Sequence, residues 1–423
     1  MLIPNLGFVT ISDYTWNRPA AITLPGGATR EFEYDPLMRV KEITSLDPGG
    51  NALLNYTYAH DAMDNITAKQ TEHGDYGYGY DDLHRLATVD NPAAGLADEA
   101  FTYDSVGNRL TSAQAAGDWT YNDNNELLSS VGVTGGSTYE YDANGNTIKK
   151  TVGGVVTSYV YNTEDRLTQV WSGLPGSGSL TATYYYDPFG RRLWKGVGGT
   201  RTYFHYSDEG LVAEINASGT VVKSYGWQPG GTWGTDPLFM KVSGNYYFYH
   251  NDHLGTPQKL TASNGAVVWS AKYESFGDAT VEIETVENNL RFPGQYFDGE
   301  SGLHYNLHRY YAPELGRFLK DDPIGLRGGI NQYIYADNNV SNNTDPYGLF
   351  SKKTKCQIAC NVALGYTCTV LGIGSGIVSG PLVGIGVGVV CRVVSFGICY
   401  ATCSGAPDDC SDFPPGDYSF SYA

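Results

Sequence analysis

The residues with the clearest chemical potential are two aspartates, each opening an Asp-Pro-x-Gly motif: Asp322-Pro323-Ile324-Gly325 and Asp345-Pro346-Tyr347-Gly348-Leu349. Locally the pattern is a turn. Proline fixes φ at its position, glycine accepts a left-handed φ, and aspartate hydrogen-bonds the backbone ahead of it. Tyr186-Asp187-Pro188-Phe189-Gly190 carries the same signature, and on spacing alone the turn role is the simpler one. A second role opens if the fold brings the two carboxylates together. Neighbouring carboxyl groups repel, so their apparent pKa values separate into an ionised base and a protonated acid.

Just after Leu349 the composition changes: all seven cysteines follow it, whereas no His or Glu does. From Cys356 to Cys391 no charged residue occurs, and Gly372, Gly376, Gly380, Gly384 and Gly388 recur at every fourth position. On a helix those glycines share one face, the arrangement that lets helices approach closely in lipid. Thr369 to Cys391 is long enough to span a bilayer, with Pro381 kinking or dividing it. The alternative is a buried apolar hairpin in a small disulfide-bonded globule. Cys356 and Cys360, like Cys399 and Cys403, are one helical turn apart. Two antiparallel helices could therefore be stapled as Cys356–Cys403 and Cys360–Cys399, with Cys368, Cys391 and Cys410 giving one more bridge and a spare thiol; the connectivity stays open. Such density points to an oxidising destination. Without His, and without the usual two-residue Cys spacing, no metal is expected, and no cofactor motif occurs. The Cys/Gly pattern resembles Cys-rich bacteriocins of the halocin C8 type.

The elements that would position the aspartates come from a repeat. A tyrosine followed by Asp or Asn, a small turn, then Arg or Asn recurs as Tyr34-Asp35, Tyr103-Asp104, Tyr141-Asp142, Tyr161-Asn162 and Tyr186-Asp187, with degenerate copies at Tyr58, Tyr80, Tyr121 and Tyr206. The interval is the length of two strands and two turns, and flanking runs such as Thr157-Ser158-Tyr159-Val160-Tyr161 alternate with the period of strands. The 34 Tyr and 53 Gly among 423 residues suit an all-β fold, since a tyrosine ring can face core or water. The spacing predicts one continuous, curled antiparallel sheet of stacked hairpins, followed by a small, mainly α-helical Cys/Gly-rich segment. Trp227, Trp233 and Trp269 are expected as inward-facing aromatics rather than a sugar-binding platform, and the eight His as surface or packing residues.

The net charge of -18 lies before Leu349. Beyond it Lys352, Lys353, Lys355 and Arg392 balance Asp408, Asp409, Asp412 and Asp417. Acid of this size excludes a nucleic-acid-binding surface on the larger part. Residues Met1 to Tyr14 lack the basic start and apolar run of a secretory signal, so export by a non-classical route, or an N-terminus cut from a longer polypeptide, is expected.

The Tyr-Asp units resemble YD repeats, and the block from Tyr249-His250-Asn251-Asp252-His253-Leu254-Gly255-Thr256-Pro257 through Arg317-Phe318 to Asp345-Pro346-Tyr347-Gly348-Leu349 resembles the core-associated end of Rhs proteins. Tc toxin C subunits share that block, and teneurin ectodomains share the repeat. The resemblance covers roughly residues 25 to 349. It implies a β shell that encloses the polypeptide after it, and an internal aspartyl protease with Asp322 and Asp345 as catalytic carboxylates, Arg309 of His308-Arg309-Tyr310-Tyr311 in support, and a single cut between Leu349 and Phe350. Because enzyme and substrate are one chain, the reaction gains proximity and happens once.

The expected organisation is a lead-in at 1–24, a YD-repeat shell at 25–248, a core-associated domain at 249–349 and a variable Cys-rich segment at 350–423. The expected function is a polymorphic-toxin carrier that releases a membrane-active peptide after Leu349. The expected partners are a shell-completing protein or secretion apparatus, an immunity protein and the target-cell membrane, and the expected location is secreted or at the cell surface. Two other readings stay open: a surface adhesion protein anchored by its apolar tail, and a non-functional fragment of a larger protein.

Overall fold

A computed structural model describes residues 2–349 apart from 4–6, 17, 93–95, 113–116 and 133–134. Residues 1–326 and 330–349 form one compact unit; a second comprises 327–329 and 350–423. The first is described below. Phe350, the cysteines and the glycine face lie outside the described residues, as does the helical segment expected there.

The repeat is built by its aspartate. Asp187 Oδ1 accepts the N–H groups of Phe189 and Arg191, both at 2.9 Å, and Asp35, Asp61, Asp81, Asp104, Asp142 and Asp252 hold the same two positions in their own turns. The other oxygen takes the side chain four residues on: Arg39 at 2.6 Å, Arg85 at 2.7 Å and Arg191 at 2.8 Å. Asn65, Asn108 and Asn146 do so with Nδ2 at 2.9 Å. Each turn is closed by contacts within five residues, which explains why Asp is followed by Arg or Asn at that distance.

The preceding tyrosine ties one strand to the next. Tyr80, Tyr103, Tyr121, Tyr186 and Tyr206 each reach back across the ladder and donate a hydroxyl to the carbonyl of Ile66, Leu86, Arg109, Leu167 and Arg192, at 2.6 to 3.0 Å. The aromatic ring fills the interior while the phenol satisfies a backbone group beyond the end of regular pairing. Tyr80, Tyr103, Tyr121, Tyr141, Tyr161 and Tyr186 all terminate strands, with one strand in between, as the interval predicts.

The strands follow one another in chain order. Among the described residues a ten-stranded antiparallel sheet runs from Thr10 to Ser112 and a sixteen-stranded one from Thr120 to Glu284. The single continuous sheet expected from the repeat is therefore two. Among the described residues ladder pairing stops at Ser112 and resumes at Thr120, with Trp119 N–H bonded to Leu110 O at 2.8 Å and the Tyr121 hydroxyl to Arg109 O. The expected division at 248/249 falls inside the strand Asn245–Asn251.

One face of these sheets packs against the segment that follows them. Tyr159, Tyr184, Tyr225, Trp227, Tyr249 and Trp269 form a core with Leu290, Tyr296, Leu303, Tyr305, Tyr310 and Leu319, while Leu86, Val89 and Phe101 of the first sheet pack with Phe292, Tyr311, Phe318 and Tyr335. Trp227 and Trp269 thus point inward, as expected. Arg192, fully buried, bonds Asp298 of the segment and lies 4.4 Å from the Tyr305 ring centre, while Lys195 reaches Asp298 and Glu300, each at 3.1 Å. Buried charges of this kind fix position because a misplaced partner would leave a charge unpaired. Cavities lined by both sheet and segment measure about 70 and 30 Å³, space for a few waters.

Candidate active site

Within the packed segment lies a four-stranded sheet, Tyr296–Asp298, Leu303–Asn306, Arg309–Ala312 and Arg317–Phe318. Its second and third strands meet in a two-residue turn with Leu307 at φ 50°, so Asn306 and Arg309 are direct cross-strand partners. Partners of this kind send side chains to one face. The fourth strand then leads through Leu319 and Lys320 to the first Asp-Pro turn.

Arg309 is the hub. Its Nη2 lies 3.0 Å from Asp322 Oδ2 and 3.2 Å from Asp345 Oδ2. Nε donates to Gly348 O and Nη1 to Gln332 O, each at 2.7 Å, and the guanidinium sits 3.5 Å over the Phe318 ring centre. Arg309, Asp322 and Asp345 are 2%, 3% and 1% exposed. The structure therefore brings together the three side chains named from sequence.

Both aspartates also keep their turn roles. Asp322 Oδ1 accepts the Ile324 N–H at 3.0 Å, and Asp345 Oδ1 accepts the Leu349 N–H at 2.9 Å, the same positions that Asp187 uses. The difference lies in the second oxygen. Asp187 spends it on Arg191 in its own turn, whereas Asp322 and Asp345 turn it toward one distant guanidinium. Each of the two carboxylates thus closes its own turn and also faces the same guanidinium, and burial separates these two aspartates from the repeat.

The second turn is clamped by close backbone approach. A Cβ on Gly348, at φ 65°, would lie 2.5 Å from Asn306 O, and one on Gly294 would lie 2.0 Å from Pro346 O. His308 N–H reaches Tyr347 O at 3.4 Å, Asn306 Nδ2 donates to Asp345 O at 2.8 Å, and the Asp345 N–H meets the Tyr335 hydroxyl at 3.3 Å. The chain leading to Leu349 is thus laid across the Asn306–Arg309 hairpin. Asn306, Tyr335 and Phe318 were not anticipated. The one available signal was the interval in Asn306-Leu307-His308-Arg309, which a two-residue hairpin converts into adjacency.

Burial pushes the Asp322 carboxyl up to about 6; Arg309 opposes this and the Asp345 charge adds to it. One cation facing two carboxylates leaves a net negative site out of water, which favours the protonated form of Asp322. His250 and His308 are packing residues: burial holds both at about 3. Among the described residues no group of His, Cys, Asp or Glu is arranged to hold a metal, and no helix is long and apolar enough to cross a membrane.

The family model described as Teneurin YD-shell matches residues 13–340. The chain is 32% identical over 360 residues to double-stranded DNA deaminase toxin A of Burkholderia cenocepacia (strain H111), covering 77% of this chain and 25% of that protein. It is 31% identical over 330 residues to tRNA nuclease WapA of Bacillus subtilis (strain 168), covering 76% and 11%, and 45% identical over 102 residues to toxin protein Tse5 of Pseudomonas aeruginosa, covering 24% and 8%. It spans a quarter or less of the length of these three relatives. Among solved structures, a Photorhabdus luminescens Tc holotoxin pore matches with a TM-score of 0.65 at 18% identity, over 82% of this chain and 19% of that one. A crystal structure of TcdB2-TccC3 matches with a TM-score of 0.62 at 18% identity, over 78% and 19%. These structures share the fold.

Proposed function

The chain belongs to the teneurin YD-shell family, and from that premise we propose that it is the carrier part of an Rhs-type polymorphic toxin that cuts itself once, after Leu349, to free the Cys-rich segment 350–423. The observation that carries the reading is the convergence of Asp322 and Asp345 on one buried guanidinium nitrogen, with the Leu349 N–H bonded to one of them. Toxin names among the relatives support the carrier role.

The chemistry follows from the geometry. Asp322, the carboxyl raised by burial, carries the proton. Asp345 takes a proton from water, whose oxygen bonds to the Leu349 carbonyl carbon. The C–N bond to Phe350 then breaks, and the Asp322 proton leaves with the new amine. Arg309 holds both carboxylates and the Gly348 carbonyl, so the strand and its catalysts are aligned without any search.

The released segment is, on this reading, membrane-active, and its cysteines pair outside the producing cell. The inner face of the sheets is covered by the chain's own core segment, so enclosing the payload falls to further strands supplied by a longer polypeptide or a partner shell.

Mass spectrometry of the purified full chain tests the reading. Wild type should give a fragment ending at Leu349, and Asp322→Asn should stay at 45.9 kDa. An intact wild-type chain would sink the self-cleavage.

A further inference from the structure

We propose that Asn306 holds the hydrolytic water through its Oδ1 atom; the inference rests on the self-cleavage reading above. Asn306 is fully buried, and its amide orientation is fixed because only Nδ2 can donate to Asp345 O at 2.8 Å. Oδ1 is then a buried acceptor with no hydrogen-bond partner among the described residues. Such an atom costs free energy unless a donor reaches it.

Arg309, its cross-strand partner, directs Nε to Gly348 O, Nη1 to Gln332 O and Nη2 to the two aspartates. Water is the donor that suits both the site and the reaction. It gives one hydrogen to Asn306 Oδ1 and the other to the ionised carboxylate, which leaves a lone pair for the Leu349 carbonyl carbon. Asn306 also lies against the substrate strand, since a Cβ added to Gly348 would come 2.5 Å from its backbone oxygen. One residue thus anchors the strand through Nδ2 and the nucleophile through Oδ1.

The test follows the full chain in cell-free translation by pulse-chase, with and without hydroxylamine as a competing nucleophile. Attack by its nitrogen forms the Leu349 hydroxamate and expels the same Phe350 amine, so mass spectrometry separates the two products. Asn306→Ala should cut roughly 100-fold more slowly than wild type, and its product should shift toward hydroxamate because water loses its holder while hydroxylamine does not. Asn306→Asp, neutral when buried, keeps a carbonyl oxygen and a donor to Asp345 O, and should cut close to the wild-type rate. Slowing of Asn306→Ala with an unchanged hydroxamate fraction would make the residue purely structural and overturn the proposal, as would a wild-type rate in that variant or failure of Asn306→Asp to restore cutting. An uncut wild type would instead remove the self-cleavage itself.

Discussion

Asp322 and Asp345 meet at a single atom: their Oδ2 oxygens lie 3.0 and 3.2 Å from Arg309 Nη2 in a site closed to solvent. Burial raises the Asp322 carboxyl to about 6, so under the proposed self-cleavage it is the member that carries the proton as acid. Four further predictions follow from this arrangement and from the scaffold that creates it.

Arg309→Lys keeps the charge and loses the fork. The guanidinium serves Gly348 O, Gln332 O and both aspartates from separate nitrogens, whereas an ammonium is a single point. Cutting should slow by roughly 100-fold, as expected when reacting groups are displaced by about 1 Å, while the circular dichroism spectrum stays that of wild type.

The rate of cutting should depend on pH through Asp322. Its carboxyl is raised to about 6 by burial, so the required protonated form is full below that value and falls tenfold per pH unit above it. Pulse-chase rates should fall as pH rises through about 6 and be roughly 100-fold below their maximum at pH 8. A rate that climbs to a plateau above pH 6 would reverse the roles of the two aspartates.

Gly348→Ala should block cutting without unfolding the sheets. At φ 65° a new Cβ would press on the Asn306 carbonyl at 2.5 Å, and that backbone is fixed in a hairpin, so the substrate strand must shift. Gly244→Ala is the control: at φ 85° its Cβ would meet nothing within 4 Å, so only a local cost of about 1 kcal/mol applies and cutting continues. Fragment yield on a denaturing gel distinguishes the two.

Removing a tyrosine hydroxyl should matter where it is bonded and not where it is idle. Tyr103→Phe deletes the 2.7 Å bond to Leu86 O and should cost about 1 kcal/mol. Tyr161 buries a hydroxyl with no hydrogen-bond partner, so Tyr161→Phe should be neutral or stabilising. Urea unfolding midpoints, measured in an Asp322→Asn background to keep one species, give the comparison.

The repeat was legible because its cause is local. Asp187 and its counterparts bond positions two and four residues ahead, and the tyrosines recur at the length of a hairpin, so residue type and spacing carry the whole signal. Sequence alone thus determined the all-β fold, the order of the strands and the turn at each Asp-Pro motif. Tertiary structure decided what neighbouring letters cannot separate. Arg191 pairs with Asp187 in its own turn, whereas the next residue, Arg192, faces the interior and bonds Asp298 from the packed segment. It likewise decided that Trp119 N–H and the Tyr121 hydroxyl reach Leu110 O and Arg109 O, that Asn306 lies beside Arg309, and that Asp322 and Asp345 share a guanidinium. Each of these depends on which face of a strand is buried and on what arrives there from far along the chain, and contacts of that kind leave no trace in local spacing.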